Sequence, residues 1–342
     1  MPPTNALIFG AGGVGCVYGY IMHKGGARIT AVCRTNYPAV KERGILIHSQ
    51  IFGTCRYHPT AVQTAAEAAQ HGPFDYIIVA SKAFRETPAL IRDAVTPGHT
   101  TVVLAQNGIG IEEEYARLYP SNPIVSGVVY LPVTQTEPGV VAMAALERFE
   151  IGTYPANASA KAKQAVQRLS EIWTAGGATA PVLDDVQPLR WLKVAINAAW
   201  NPTTALTLCD DANYLRSSST SEKTVVRIMQ EVGLVATAAG YPDAITDETI
   251  AKDLERPRAR LETGGKEPSM LTDVRENRPI EVEAILGNIL RIGKKHGVTE
   301  LPYLELLYTL ASARDYELRR PETWKPISFA VSKSNVQQNG QS

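Results

Sequence analysis

A lysine and two asparagines recur at four-residue spacing, Lys193, Asn197 and Asn201, in a stretch that is otherwise almost wholly apolar from Trp191 to Trp200. At helical spacing the three share one face. The neighbours Trp191, Val194, Ala195, Ala198 and Ala199 predict that most of this helix is buried, so its polar stripe faces an internal cleft rather than bulk water. A buried ammonium needs a partner or a chemical task. The task that fits this trio is proton donation by the lysine to a bound ligand, with the two carboxamides holding that ligand by hydrogen bonds. The competing reading is the ordinary wet face of an amphipathic helix.

A second chemical signal stands near the start of the chain. Gly10, Gly12 and Gly15 form G-x-G-x-x-G directly after the apolar run Ala6 to Phe9 and before an amphipathic pattern, with Gly13 and Val14 completing the loop. Each spaced glycine has a mechanical reason: a tight turn, close approach of backbone to a pyrophosphate, and tight packing of helix on strand. A helix beginning here offers free N–H groups and partial positive charge to phosphates. The expected ligand is a dinucleotide. Arg34 ends the next apolar run, where an NAD enzyme usually carries an acidic residue for the ribose 2′-hydroxyl. A guanidinium suits a 2′-phosphate and predicts NADPH; the competing reading is a surface arginine. Lys82 and Asn107 each follow a further apolar run, the position where ligands collect beyond the carboxyl ends of parallel strands. Lys82 would meet a phosphate or a substrate carboxylate. Asn107 would fix the nicotinamide or its ribose, although Asn107-Gly108 is also an ordinary turn pair.

Bulk properties narrow the ligand. The 342 residues include 34 basic and 34 acidic side chains, which cancel, and no long run of either sign suggests a nucleic-acid or anionic-membrane surface. A small molecule is the expected partner. Cys16, Cys33, Cys55 and Cys209 lie far apart, and the histidines show no ligand spacing, so neither a disulfide framework nor a metal site is expected. No apolar run is long enough to span a bilayer, and the first strand begins near Asn5, so the protein is expected to remain in the cytoplasm.

The elements that must position these residues follow from periodicity. Short apolar runs alternate with helical patterns through the first half, the rhythm of strand, crossover helix and parallel strand. Strands are expected at 6–9, 28–33, 76–80 and 101–105, a small hairpin at 45–48 and 54–57, and further strands, open to antiparallel pairing, at 124–130, 140–143 and 149–151. A helix at 159–175 closes this part. After Asp184 strand signals largely vanish, and helical patterns run over 184–200, 221–239, 279–294 and 301–317. The predicted architecture is an α/β Rossmann-like dinucleotide-binding domain over 1–183, an all-α domain over 184–330 that carries substrate and catalysis, and a polar tail over 331–342.

With these pieces in order the chain resembles the ketopantoate reductase family over nearly its whole length. The likeness is carried by Gly10-Ala11-Gly12-Gly13-Val14-Gly15, Lys82-Ala83, Asn107-Gly108-Ile109-Gly110, Leu192-Lys193-Val194-Ala195-Ile196-Asn197 with Asn201-Pro202-Thr203-Thr204-Ala205, then Ser269-Met270-Leu271, Asp273 and Glu281. The resemblance implies an active site in the cleft between an NADPH-binding lobe and a helical lobe. It implies Lys193 as general acid and Glu281 as a group that orients the substrate or that lysine. Asn107, Asn197, Asn201 and Ser269 would contact substrate, Arg34 and Lys82 the cofactor, and a homodimer is compatible with it. Glu281 also reads as a favourable charge in the first turn of a helix begun near Pro279, and Ser269 as an N-cap. Trp200, bulkier than the family's usual aliphatic residue, and Leu286 depart from the family pattern and are expected to reshape the pocket. Reduction of 2-dehydropantoate is the leading activity, with another branched or aromatic 2-oxo acid as the nearest rival and a non-catalytic NADPH sensor as a rival of another class.

Overall fold

The computed structural model describes residues 3–320; the tail expected at 331–342 lies outside the described residues. The first lobe runs β1 (Asn5–Phe9), α1 (Gly13–Lys24), β2 (Arg28–Val32), α2 (Tyr37–Arg43), β3 (Ile45–Ser49), β4 (Gly53–Tyr57), β5 (Thr60–Val62), α3 (Ala65–Ala69) and β6 (Tyr76–Val79). It continues through α4 (Thr87–Leu90), β7 (Thr101–Leu104), α5 (Glu112–Leu118), β8 (Ile124–Tyr130), β9 (Val133–Glu137), β10 (Val140–Met143), β11 (Arg148–Tyr154) and α6 (Ala160–Ala175). One sheet has the order β11-β8-β7-β6-β1-β2-β5, parallel throughout except for the antiparallel pair of β8 with β11. Its central strands β1, β6 and β7 are buried along their whole length, because helices cover both faces and leave no solvated side to demand polar alternation.

The hairpin expected at 45–57 is part of a larger unit. β10 pairs parallel with β3 and antiparallel with β9, giving a second sheet of order β4-β3-β10-β9. This sheet packs over α1, where the Tyr57 hydroxyl donates to the Cys16 carbonyl at 2.9 Å. Sequence periodicity reveals single strands, whereas this joining of segments about ninety residues apart depends on tertiary packing.

The chain passes to the second lobe without a loose linker. Residues 179–183 run along β11, with Ile151 N donating to Pro181 O at 3.1 Å and Leu183 N to Ile151 O at 2.8 Å. The helical lobe comprises α7 (Gln187–Thr207), α8 (Asp211–Ser217), α9 (Ser221–Ala238), α10 (Asp247–Ala259), α11 (Ser269–Arg275), α12 (Asn288–Lys295) and α13 (Pro302–Leu318). Of these, α8, α10 and α11 are not among the helices expected from periodicity. The middle helix α7 packs against α9, α11 and α13. It also runs past Pro202, beyond its expected end at Trp200. Proline removes an N–H and crowds the preceding turn; just after it, the Thr203 hydroxyl donates to Ala199 O at 2.5 Å and that of Thr204 to Trp200 O at 2.7 Å, which ties these side chains to the helix. No helix of the described residues is long and apolar enough to cross a membrane.

Candidate active site

The glycine loop joins β1 to α1 at the carboxyl edge of the large sheet. Gly10 has φ +101°, and a Cβ there would meet the Ser81 backbone N at 2.6 Å, so only glycine fits both the turn and the neighbouring strand end. A Cβ on Gly15 would lie 2.1 Å from Gly10 O, so this residue sets how closely α1 sits on the strand. Around Gly12 nothing lies within 4 Å of such a Cβ, leaving open space at the helix start. That start has no side-chain cap and no acidic residue in its first turn, so its N–H groups and partial positive charge are free for an anion. The loop is pinned from behind by Asn36, whose Nδ2 donates to Ala11 O at 2.7 Å. Ser81 Oγ is buried beside Gly10 without a hydrogen-bond partner among the described residues. These features fit the phosphates of a dinucleotide. Arg34 is exposed just past the end of β2 and makes no ion pair among the described residues.

Lys193 lies part-buried on α7, with its Nζ 4.8 Å from the centroid of the Tyr130 ring. Among the described residues it makes no hydrogen bond and no ion pair. Burial, then the positive charges of Lys266 and Arg256 against the opposing pull of Asp253, bring its pKa from 10.5 down to about 8. Asp253 is itself held by the Trp200 indole, whose Nε1 donates to Oδ2 at 2.9 Å. One turn beyond Lys193, Asn197 leaves its buried Nδ2 without a partner among the described residues, a donor whose isolation is costly unless a ligand accepts from it. Asn201 is buried, and its Oδ1 accepts weakly from Met270 N at 3.5 Å. It therefore braces the start of α11, whose first residue Ser269 is exposed; the N-cap there is Pro268 rather than Ser269.

Glu281 stands apart from Lys193. Its Oε1 accepts from Ala83 N at 2.8 Å, and its Oε2 lies 3.7 Å from Lys82 Nζ. Lys82 also pairs directly with Asp273, which Arg278 contacts at 3.0 Å. Two carboxylates of the helical lobe thus grip a loop of the sheet lobe. For Lys82, burial lowers proton affinity, but Glu281 and Asp273 outweigh it and the net pKa is raised. The helical segment after Glu281 begins at Val282, later than expected from Pro279, and opens with a π-helical turn at Glu283–Gly287, a distortion common at functional sites. Asn107 lies part-buried between these elements, with no hydrogen bond to its side chain among the described residues.

Several contributors are not singled out by the sequence. Tyr130, Asp253 and Ser81 carry no local pattern that separates them from ordinary core or surface residues. Arg190 alone offers a signal, as a cation near the start of the otherwise apolar run. Trp200 and Leu286, expected to shape the pocket, are 6% and 0% exposed and belong to the helical core.

A glycine-lined helix start at the edge of a parallel sheet, together with a helix that carries a desolvated lysine, defines an oxidoreductase that uses a nicotinamide dinucleotide. The chain belongs to the ketopantoate reductase family: the pattern of ketopantoate reductase PanE/ApbA matches residues 6–156, and that of its C-terminal part matches 185–315. The chain is 29% identical over 313 residues to a 2-dehydropantoate 2-reductase of Mesorhizobium japonicum, covering 84% of this chain and 90% of that one. The crystal structure of 2-dehydropantoate 2-reductase from Methylococcus capsulatus is 32% identical, with TM-score 0.78 over 93% of this chain and 99% of that one. The same fold recurs, at 24% identity and TM-score 0.79 over 92% of this chain and 99% of the other, in a D-mandelate dehydrogenase bound to NADH and anilino(oxo)acetate.

Proposed function

We propose that the protein reduces a small 2-oxo acid to its 2-hydroxy acid with NADPH, and that the substrate is 2-dehydropantoate, giving pantoate on the way to pantothenate and coenzyme A. One observation carries this reading: the Lys193 ammonium sits in the gap between the lobes without a carboxylate at contact distance among the described residues, with a pKa of about 8. Ketone reduction builds negative charge on oxygen, and an adjacent ammonium both stabilises that charge and supplies the proton. A dinucleotide bound on the glycine loop would supply the hydride. Lys193 would give its proton to the carbonyl oxygen and regain one from water.

Gly10, Gly12, Gly13, Val14 and Gly15 would hold the cofactor phosphates, with Arg34 on the 2′-phosphate. The open donor of Asn197 and the exposed Ser269 hydroxyl would hold substrate, Asn107 would serve both ligands, and Asn201 would act through the helix that begins at Ser269. Lys82 and Glu281 would shape the cofactor side of the cleft as a pair. The Tyr130 ring beside Lys193 supports a second reading, an aromatic 2-oxo acid as substrate. The four cysteines are free thiols, in keeping with the cytosolic location we infer.

The test is purified protein with NADPH or NADH against 2-dehydropantoate, its lactone, and branched and aromatic 2-oxo acids, followed by cofactor absorbance. Preference for 2-dehydropantoate is the expected result. Preference for an aromatic acid selects the second reading, and tight NADPH binding without turnover of any acid makes the protein a sensor. For the cofactor, Arg34→Ala should weaken NADPH by about 1.5–3 kcal/mol, the worth of a hydrogen bond to a charged group, and leave NADH nearly unchanged. Equal losses for both cofactors would remove Arg34 from that role.

A further inference from the structure

We propose that Arg190 is a positioning residue that holds the proton donor and the cofactor-side asparagine in one register. This rests on the reading of Lys193 as proton donor. Arg190 lies one turn before Lys193 on α7 and is 2% exposed. Its guanidinium leaves the helical lobe and enters the carboxyl edge of the large sheet. There Nη1 donates to Gln106 O at 3.1 Å and to Gly108 O at 2.8 Å, the two carbonyls that flank Asn107. Nη2 donates to Gly127 O at 2.8 Å, and Nε to Ser126 Oγ at 2.9 Å. One rigid, planar fork therefore ties both sides of the Asn107 turn to the helix of Lys193.

The charge is matched rather than stranded. Glu112, fully buried in the first turn of α5, places Oε1 2.9 Å from Arg190 Nε and also accepts from Ser126 Oγ at 2.6 Å and Gln187 Nε2 at 2.9 Å. The turn is wedged from the opposite side as well. A Cβ on Gly108, at φ +103°, would meet Ala284 O at 2.5 Å, and Asn288 Nδ2 donates to Ile109 O at 2.6 Å. Asn107 thus sits on a loop clamped by α7 on one side and by the π-helical turn on the other. The guanidinium projects from the same helix as Lys193, one turn before it, so loosening it frees the asparagine and the ammonium to move independently.

The experiment uses two full-length variants. Arg190→Lys keeps a charge for Glu112, but a point donor cannot span the three carbonyls. Arg190→Gln combined with Glu112→Gln removes both charges, so that no buried carboxylate is left alone. Steady-state kinetics are measured with NADPH and the preferred 2-oxo acid, together with amide hydrogen exchange over residues 106–110 and over α9. In both variants kcat should fall about 10²-fold through misplacement of reacting groups, with KM for NADPH little changed. Exchange at 106–110 should quicken while α9 stays protected.

Retention of kcat within about twofold, far inside the loss expected for misplaced groups, would overturn the proposal. So would quickened exchange in α9 as much as in 106–110, which marks general loosening. If the wild-type protein reduces no 2-oxo acid, the functional reading fails on that control. Exchange at 106–110 then judges Arg190 by itself, and unchanged exchange there overturns its role.

Discussion

Lys82 and Lys193 both stand in the gap between the lobes, yet their surroundings push their proton affinities in opposite directions. At Lys82 the cost of burial is outweighed by Glu281 and Asp273, and the pKa is raised. At Lys193 burial acts with Lys266 and Arg256 and outweighs the more distant Asp253, so the pKa falls to about 8. The side chain and the gap are the same, and what differs is a carboxylate at contact distance. A lysine that must surrender a proton near neutral pH has to lack such a partner, whereas one that fastens two lobes together has to have it. Glu281 acts on Lys82 and not on Lys193, which suits the second lysine to the acid role proposed for it.

The comparison can be broken most directly by removing each lysine. Lys193→Ala should lower turnover by about 10²- to 10⁴-fold, the usual worth of a general acid. Lys82→Ala should act mainly on cofactor KM and on stability, with a much smaller effect on kcat. Steady-state rates for the two variants decide the matter, and a loss of only a few-fold at Lys193 would end its assignment as proton donor.

A pH profile sharpens the same contrast. In the proposed reaction the ammonium must be protonated, so kcat should be flat below the Lys193 pKa of about 8 and fall tenfold per pH unit above it. The negative charge of Asp253 supports this proton, so Asp253→Asn should move the alkaline limb to lower pH. Glu281→Gln acts on Lys82 and should leave the limb in place. A limb that follows Glu281 instead would mean that the two lysines had been assigned the wrong way round.

Much of this arrangement is legible in the sequence because it is local. The apolar runs of β1, β2, β6 and β7, the glycine spacing, and the stripe of Lys193 and Asn197 are periodicities within one element, and local sterics and burial settle them. What decides the chemistry is not legible there, because it lies between elements. Lys82 meets Asp273 across 191 residues and Ala83 meets Glu281 across 198, and no spacing rule reaches that far. The same holds for Arg190, whose targets are mostly backbone carbonyls with no side-chain signature. α10, which brings Asp253 to the cleft, buries little more than Ile250, Leu254 and Pro257, too thin a face to stand out. Asn201 fits the polar stripe by number, but lies where α7 meets α11 and so turns its carboxamide toward that helix.

The two lysines should also leave opposite marks on stability. For Lys193 the folded pKa of about 8 lies below the unfolded 10.5, so between those values the unfolded chain binds more protons and stability rises with pH. Below pH 8 the whole cost of holding the charged form is present. Lys193→Met should therefore stabilise the protein at pH 7, by at most about 3.5 kcal/mol, since a tenfold change in proton affinity corresponds to about 1.4 kcal/mol. That advantage should shrink as pH rises toward 10.5. For Lys82 the folded pKa is raised above 10.5, so the contribution of its ion pairs is complete below 10.5 and is lost only as pH climbs through the folded value. Lys82→Met should accordingly destabilise at pH 7, leaving Asp273 and Glu281 buried with one cation fewer. Urea unfolding of both variants at pH 7 and pH 9.5 reads these signs. For a lysine with the role proposed here, a charge that costs stability is the pattern expected where function opposes folding, and a Lys193→Met variant less stable than the parent at pH 7 would show that the ammonium has a structural partner after all.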